Sequence, residues 1–279
     1  MISKSDMQTF NERHRVLLQA RDFICLRPHP GLSDYISNCN ITFPTIGTFP
    51  ASFTEMPCGC ATLIIEQNDK NLRIYLDGPT TVPVVVGHSS LARMIITIEF
   101  KPAGLYALTG INQAELIDKT IPLEAVDYKL CKLLAQTVEG AKSICELMAG
   151  IDMLLIEKLE NMYTTHHPQL RLVMENILSC GGDTTVKMLS GDIHYSERQL
   201  NRIFNQHVGM GTKAFLRLVR VNRSFRLLKK PGSSLTLASD IMGFHDLSHF
   251  LRDFKLVCGI TPQEFRQNMS DFYTNPTKL

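Results

Sequence analysis

From about Phe23 to Glu99 the chain is written in short apolar or alternating runs, CATLIIEQ, NLRIYLDG and VPVVVGH among them, separated by Pro and Gly. That grammar predicts a β-rich region. RMIITIEF reads as its last long strand, and the Pro and Gly of KPAGLY break the pattern after it. From about Tyr128 to Met162 the spacing changes. Leu130, Leu133, Leu134, Val138, Ala141, Cys145, Met148, Ile151, Leu155 and Leu159 recur at helical intervals, with Gly140 and Gly150 expected to divide the stretch. Such a stripe packs against its own domain or, on a sharper reading, forms a subunit interface. The polar YTTHHPQL then interrupts it. A linker is therefore expected at 163–168, between a first domain at 1–162 and a second at 169–279.

The second domain repeats itself. SERQLNRIF from Ser196 and DLSHFLRDF from Asp246 align with a shift of fifty, which sets Ser196 on Asp246, Leu200 on Phe250, Arg202 on Arg252, Phe204 on Phe254, Gly209 on Gly259 and Phe215 on Phe265. Ser196 can cap a helix with Gln199 reaching back, and Leu200, Ile203 and Phe204 then share one face. Arg198, Asn201, Arg202 and Asn205 share the other. In the second copy Asp246 caps, Phe250, Leu251 and Phe254 point inward, and Ser248, His249, Arg252 and Lys255 face outward. Each copy follows a short helical stretch and a turn, VKMLSGDIHY and LTLASDIMGFH, which is helix-turn-helix spacing. Such a unit sets its second helix in the major groove, where Arg bridges the two acceptors of guanine and Asn bridges the donor and acceptor of adenine. The intervening TKAFLRLVRVNRSFRLLKK lacks Pro and Gly and should form a rod of roughly 25–30 Å. Arg217, Arg220, Arg223 and Arg226 drift around that rod, so some should meet phosphate and others water or carboxylates.

Charge supports a polyanion partner for the second half only. The chain of 279 residues is 44% hydrophobic, 20% charged and formally +2. Residues 1–169 hold 14 Lys and Arg against 18 Asp and Glu, whereas residues 170–279 hold 15 against 9. The N-terminus has no apolar signal core and no run reaches bilayer length, so the expected location is cytoplasmic, with no membrane contact. The eight cysteines are accordingly expected to be reduced thiols. Cys58 and Cys60 in PCGC would point to opposite faces of a strand, a poor start for one metal unless the chain bends at Gly59. A cysteine-based redox or metal-sensing regulator is kept as the alternative. His166 and His167 read as solvated linker. There is no H-E-x-x-H, G-x-S-x-G, P-loop or dinucleotide glycine fingerprint, and His88 is the only His between Pro30 and Tyr163. The expectation is a binding protein with no catalytic residue, metal or cofactor.

Residues from about Leu170 to Phe272 resemble the paired helix-turn-helix domain of AraC/XylS-type bacterial transcriptional regulators. GFHDLSHFLRDFKLVCGITPQEFR approaches that family's signature through Gly243-Phe244, Ser248-His249-Phe250, Arg252, Phe254, Gly259, Thr261-Pro262 and Phe265-Arg266. The resemblance implies sequence-specific binding to double-stranded promoter DNA, with base contacts from Arg198, Asn201 and Arg202 in the first helix and Leu247, Ser248, His249 and Arg252 in the second. Leu247 stands where members commonly have a polar residue, which shifts base choice toward the thymine methyl. GMGT replaces a common Ser-Pro, and Ser190 and Ser239 replace small Ala positions. RPHPGLSDYI and IEFKPAGLYALTGINQAELIDKTIPLEAV resemble the N-terminal domain of uncharacterised AraC-type proteins, read as a cupin-like β-barrel with appended helices. The overall expectation is an α+β chain: a β-rich domain that senses an unknown small-molecule effector or forms a homodimer, then an all-α domain with two helix-turn-helix units. RNA polymerase is a further candidate partner.

Overall fold

The structure is a computed structural model in which residues 2–45, 52–87, 92–162, 168–230 and 232–268 are described. Among the described residues the N-terminal half builds nine strands: β1 Val16–Gln19, β2 Phe23–Leu26, β3 Ile36–Thr42, β4 Ser52–Glu55, β5 Thr62–Gln67, β6 Leu72–Asp77, β7 Val84–Gly87, β8 Met94–Phe100 and β9 Thr120–Pro122. Seven form an antiparallel sheet in the order β1-β2-β3-β8-β5-β6-β9, and β4 pairs with β7 in a separate ribbon. The β-rich reading of residues 23–99 therefore holds, but the barrel does not close. Among the described residues β1 pairs only with β2 and β9 only with β6, so the sheet keeps two edges. Closure depends on pairing between strands distant in the chain, which local alternation does not encode.

One face of the sheet is apolar. Leu63, Ile65, Leu76, Ile96, Ile98, Cys39 and Ile41 join a core cluster completed by the helices α3 Tyr128–Gly140 and α4 Ile144–Glu160. Short helices α1 Asp6–Thr9 and α2 Gly104–Thr109 flank it. Leu130, Leu134, Val138, Met148, Ile151, Leu155 and Leu159 of the helical stripe are buried in this cluster, with Ala141 and Cys145 partly buried against it, so most of the stripe packs within the domain. Gly140 ends α3 as expected. Gly150 instead lies inside α4, where a side chain would come within 2.5 Å of Thr137 on α3, so it permits close helix contact rather than a break. Arg15 ties the strand region to α4 through a buried ion pair of 2.7 Å with Asp152.

The C-terminal half is helical: α5 Pro168–Ser179, α6 Val186–Asp192, α7 Glu197–Val208, α8 Thr212–Leu228, α9 Leu235–Ile241, α10 Leu247–Cys258 and α11 Pro262–Asn268. The expected linker at 163–168, His166 and His167 included, lies outside the described residues except at Pro168. A second core fills this half. Phe204 meets Phe215 at 5.8 Å between ring centres, and Phe225, Phe244, Phe250, Phe254 and Phe265 interlock at 4.5–5.8 Å. Aromatic pairs at these separations add to the area they bury.

Candidate DNA-binding face and the domain seam

The two copies of the repeat become α7 and α10, and their ends are built alike. Ser196 Oγ accepts the Gln199 N–H at 3.1 Å and Asp246 Oδ1 accepts the His249 N–H at 2.7 Å, satisfying donors that an uncapped helix start would leave free. Accepting that bond, with His245 beside it, holds the Asp246 carboxyl below the usual carboxylate range. At the other ends Gly209 and Gly259 both adopt the left-handed conformation, with φ of 91° and 69°, and the chain turns into α8 and α11. The helices α6 and α9 precede them at the expected spacing, capped by Thr185 and Ser234.

The apolar backs are Leu200, Ile203 and Phe204 in α7 and Phe250 and Phe254 in α10, all buried; Leu251 is half-buried against the same core. The fronts differ from one another. On α7, Arg198, Asn201 and Arg202 are exposed and, with Ser196, Gln199 and Asn205, line an open depression of about 690 Å³. Asn201 has a structural partner as well: its Oδ1 accepts the Thr212 N–H at 3.1 Å and so caps α8. On α10, Ser248 and Arg252 are exposed, Leu247 is half-buried against the aromatic core, and His249 stands edge-on to Phe244 with its Nε2 3.3 Å from Asp253 Oδ2. Arg198, Arg202, Ser248 and Arg252 are thus the expected contact residues that project freely from their helix backs.

Asp253 is the residue the sequence reading missed. Buried at 5% exposure, it accepts from Arg217 Nε at 3.0 Å, lies 3.7 Å from an Arg220 nitrogen and pairs with His249. It therefore locks α10 to the connecting helix α8. The clue was the i, i+4 spacing of His249 and Asp253 on one helix face. Arg223 donates to the Cys180 carbonyl at 3.2 Å. The connecting helix spends at least three of its four arginines on internal partners, and of these Arg217 and Arg220 meet a carboxylate, as expected for some of the four.

The N-terminal half sits directly on this apparatus. The expected strand through PCGC is instead a bend, with Gly59 at φ 65°, and Cys58 and Cys60 each donate to the other's carbonyl, Sγ to O at 3.8 and 3.4 Å. A side chain at Gly59 would come within 2.7 Å of Leu218 and 3.4 Å of Met210 and Phe215. Met56 joins the C-terminal core, and Asn222 donates to the Pro57 carbonyl at 2.8 Å. A second contact meets α7 itself. Gln206 donates to the Tyr106 hydroxyl at 2.9 Å, and the Tyr106 and His207 rings lie 3.8 Å apart. The buried Gln113 belongs to a short turn, Gln113–Glu115, packed against the same helix. All eight cysteines are free thiols, and among the described residues no three His, Cys, Asp or Glu side chains gather as a metal site. No described helix is long and apolar enough to cross a membrane.

Comparison with known proteins matches two separate stretches of the chain. Residues 189–268 match a family described as a helix-turn-helix domain, and residues 25–122 match one described as a domain of unknown function (DUF6597). An uncharacterized HTH-type transcriptional regulator of Bacillus subtilis, YisR, is 30% identical over 87 residues, 31% of this chain and 30% of that one. The HTH-type transcriptional activator RhaR of Yersinia pseudotuberculosis is 30% identical over 82 residues, 29% and 28% of the two chains. A solved AraC-type DNA-binding-domain protein of Chromobacterium violaceum is 24% identical over 39% of this chain and 95% of that one, with a TM-score of 0.34. The aligned stretch spans about 30% of the length of these two curated relatives.

Proposed function

From the premise that this chain is an AraC/XylS-type helix-turn-helix protein, with residues 189–268 as the matched domain, we propose that it is a sequence-specific regulator that reads two neighbouring major-groove segments with α7 and α10. What supports this above all is the pairing of two equivalently capped helices, each with a buried aromatic back and an exposed arginine front, on one connecting helix. Seventeen residues of α8 span roughly 25 Å at 1.5 Å per residue, a length that suits two units addressing successive grooves about 34 Å apart.

Arg202 and Arg252 are proposed as guanine readers, Arg198 and Ser248 as neighbouring contacts, and Leu247 as an apolar contact to thymine. Asn201 and His249 are proposed to touch DNA while staying tied to α8 and Asp253. The domain division at 1–162 and 169–279, a cytoplasmic location, a binding rather than catalytic role, a homodimer and contact with RNA polymerase belong to the same proposal. The matched N-terminal domain is proposed to sense an effector and to transmit its state through the seam.

Fluorescence anisotropy with the duplex flanking the chain's own gene and with scrambled duplex tests the reading. Arg202→Ala or Arg252→Ala should reduce discrimination between the two by about 1–3 kcal/mol without lowering the melting temperature. Equal loss on both duplexes would reassign that arginine to phosphate, and wild-type protein that never prefers any segment of the flanking DNA over scrambled sequence would overturn the proposal.

A further inference from the structure

The second face of the seven-stranded sheet is polar yet poorly exposed. Strand register sets its side chains in rows. Asp77, Thr62, Glu99 and Asn38 form one; Tyr75, Ile64, Thr97, Asn40 and Cys25 the next; Arg73, Glu66, Ile95, Thr42 and Phe23 the third. A sheet face away from the core is ordinarily solvated, but here Asn38 is 0%, Cys25 2%, Glu66 7% and Glu99 9% exposed.

Most of these buried groups satisfy one another. Asn38 donates to Glu99 Oε2 at 3.0 Å, and Asn40 donates to Asn38 Oδ1, Thr97 Oγ1 and Glu99 Oε1 at 2.9, 3.2 and 3.4 Å. Glu66 does not share in this. Its Oε1 is buried with no hydrogen-bond partner among the described residues. Arg73, its cross-strand neighbour, is exposed, and among the described residues no ion pair joins the two. Leaving a buried acceptor unmet is costly, and a fold tolerates such an atom where something else comes to it.

We propose that this face is the effector site and that it takes a small primary alkylammonium compound, whose N–H donors meet Glu66 Oε1 and whose far end reaches the row of Thr97 and Tyr75. Among the described residues of these three rows the charged groups are Glu66, Glu99 and Asp77 against Arg73. Burial, with Glu66 and Asp77 adding to it, pushes the Tyr75 hydroxyl up to about 12, and burial with Glu99 does the same to the Cys25 thiol. The face therefore favours a cation over an anion. A lone carboxylate oxygen with no second ligand group converging on it suits an ammonium better than a metal ion. Ile95 lies opposite Glu66 and Ile64 one row on, which supplies an apolar bed for a carbon stem. Successive rows are two residues apart, roughly 7 Å along the strands, a separation that a four-carbon chain spans. Thr97 Oγ1 accepts one bond from Asn40 and keeps a second lone pair to accept from the far ammonium of a diamine.

As the effector pocket of a regulator the site rests on the function proposed above, so ligand binding is measured without DNA. Calorimetry and thermal unfolding of the full chain with putrescine should show binding and a rise in melting temperature of several degrees, with butane-1,4-diol at least tenfold weaker and succinate inactive. E66Q should weaken putrescine at least tenfold. E66L should abolish the response and, with the ligand-free protein, melt no lower than wild type, because a leucine needs no partner. Absence of putrescine binding, equal binding by E66Q, or a ligand-free E66L protein that melts well below wild type would each overturn the proposal, the last by making Glu66 a structural group. Anisotropy on the flanking duplex keeps the two readings apart: wild type that binds putrescine but prefers no DNA supports the pocket and sinks the regulator alone.

Discussion

Phe204 and Phe254 occupy equivalent places on the backs of α7 and α10, and both are fully buried. Replacing either by Ala should destabilise the chain by about 3–5 kcal/mol as a cavity, measurable by urea unfolding; an unchanged midpoint would place the inward face elsewhere. Ser239 behaves oppositely. It stands at an Ala position of the family, is fully buried in α9, and its hydroxyl has no partner. Ser239→Ala should therefore raise stability by about 1 kcal/mol in the same assay, while Ser190, whose hydroxyl donates to the Lys187 carbonyl at 3.0 Å, should gain less. The bent PCGC makes a third case. Ala at Gly59 would combine a left-handed backbone with a clash against Leu218, a cost of about 1–2 kcal/mol for the backbone alone. Sequence spacing made the arginine fronts legible because exposure on a capped amphipathic helix is a local property. It could not reveal that Asn201 caps α8 or that Asp253 gathers Arg217, Arg220 and His249, since both depend on where another helix folds back.

At the scale of elements, the caps decide where the recognition helices begin. Ser196→Ala should cost about 1 kcal/mol, read as a lower melting temperature at any pH, since a hydroxyl does not titrate in that range. Asp246 differs because its carboxyl is held below the ordinary range in the folded chain. Its contribution is complete above the unfolded carboxylate value of about 4 and is lost as pH falls through the lower folded value. The gap in melting temperature between wild type and Asp246→Ala should therefore be full at pH 7 and close in acid; a gap that widened in acid would contradict the cap. Helices and their ends were readable from periodicity, but two features of the first half were not. Gly150 looks like a break and is a close contact with Thr137. The sheet looks like barrel material and stays open, because pairing of β1 and β9 with distant partners is settled by the whole fold.

For the whole molecule, the basic excess falls in the half that holds the matched helix-turn-helix stretch, while nothing along the chain announced how tightly the halves meet. Met56 joins the C-terminal core, Asn222 donates to the Pro57 carbonyl, and the Tyr106 ring lies near that of His207 at the far end of α7. The helix-turn-helix half is therefore packed against Met56, Pro57, Gly59, Tyr106 and Gln113, well outside the matched stretch. Engineers who graft sensor halves between relatives in order to rewire a promoter's response would cut this chain at the polar stretch after α4 and keep everything beyond it. Such a chimera would inherit α7 without Tyr106 and Gln113 and α8 without the bent PCGC, and a foreign N-terminal half would have to bring its own counterparts of these contacts.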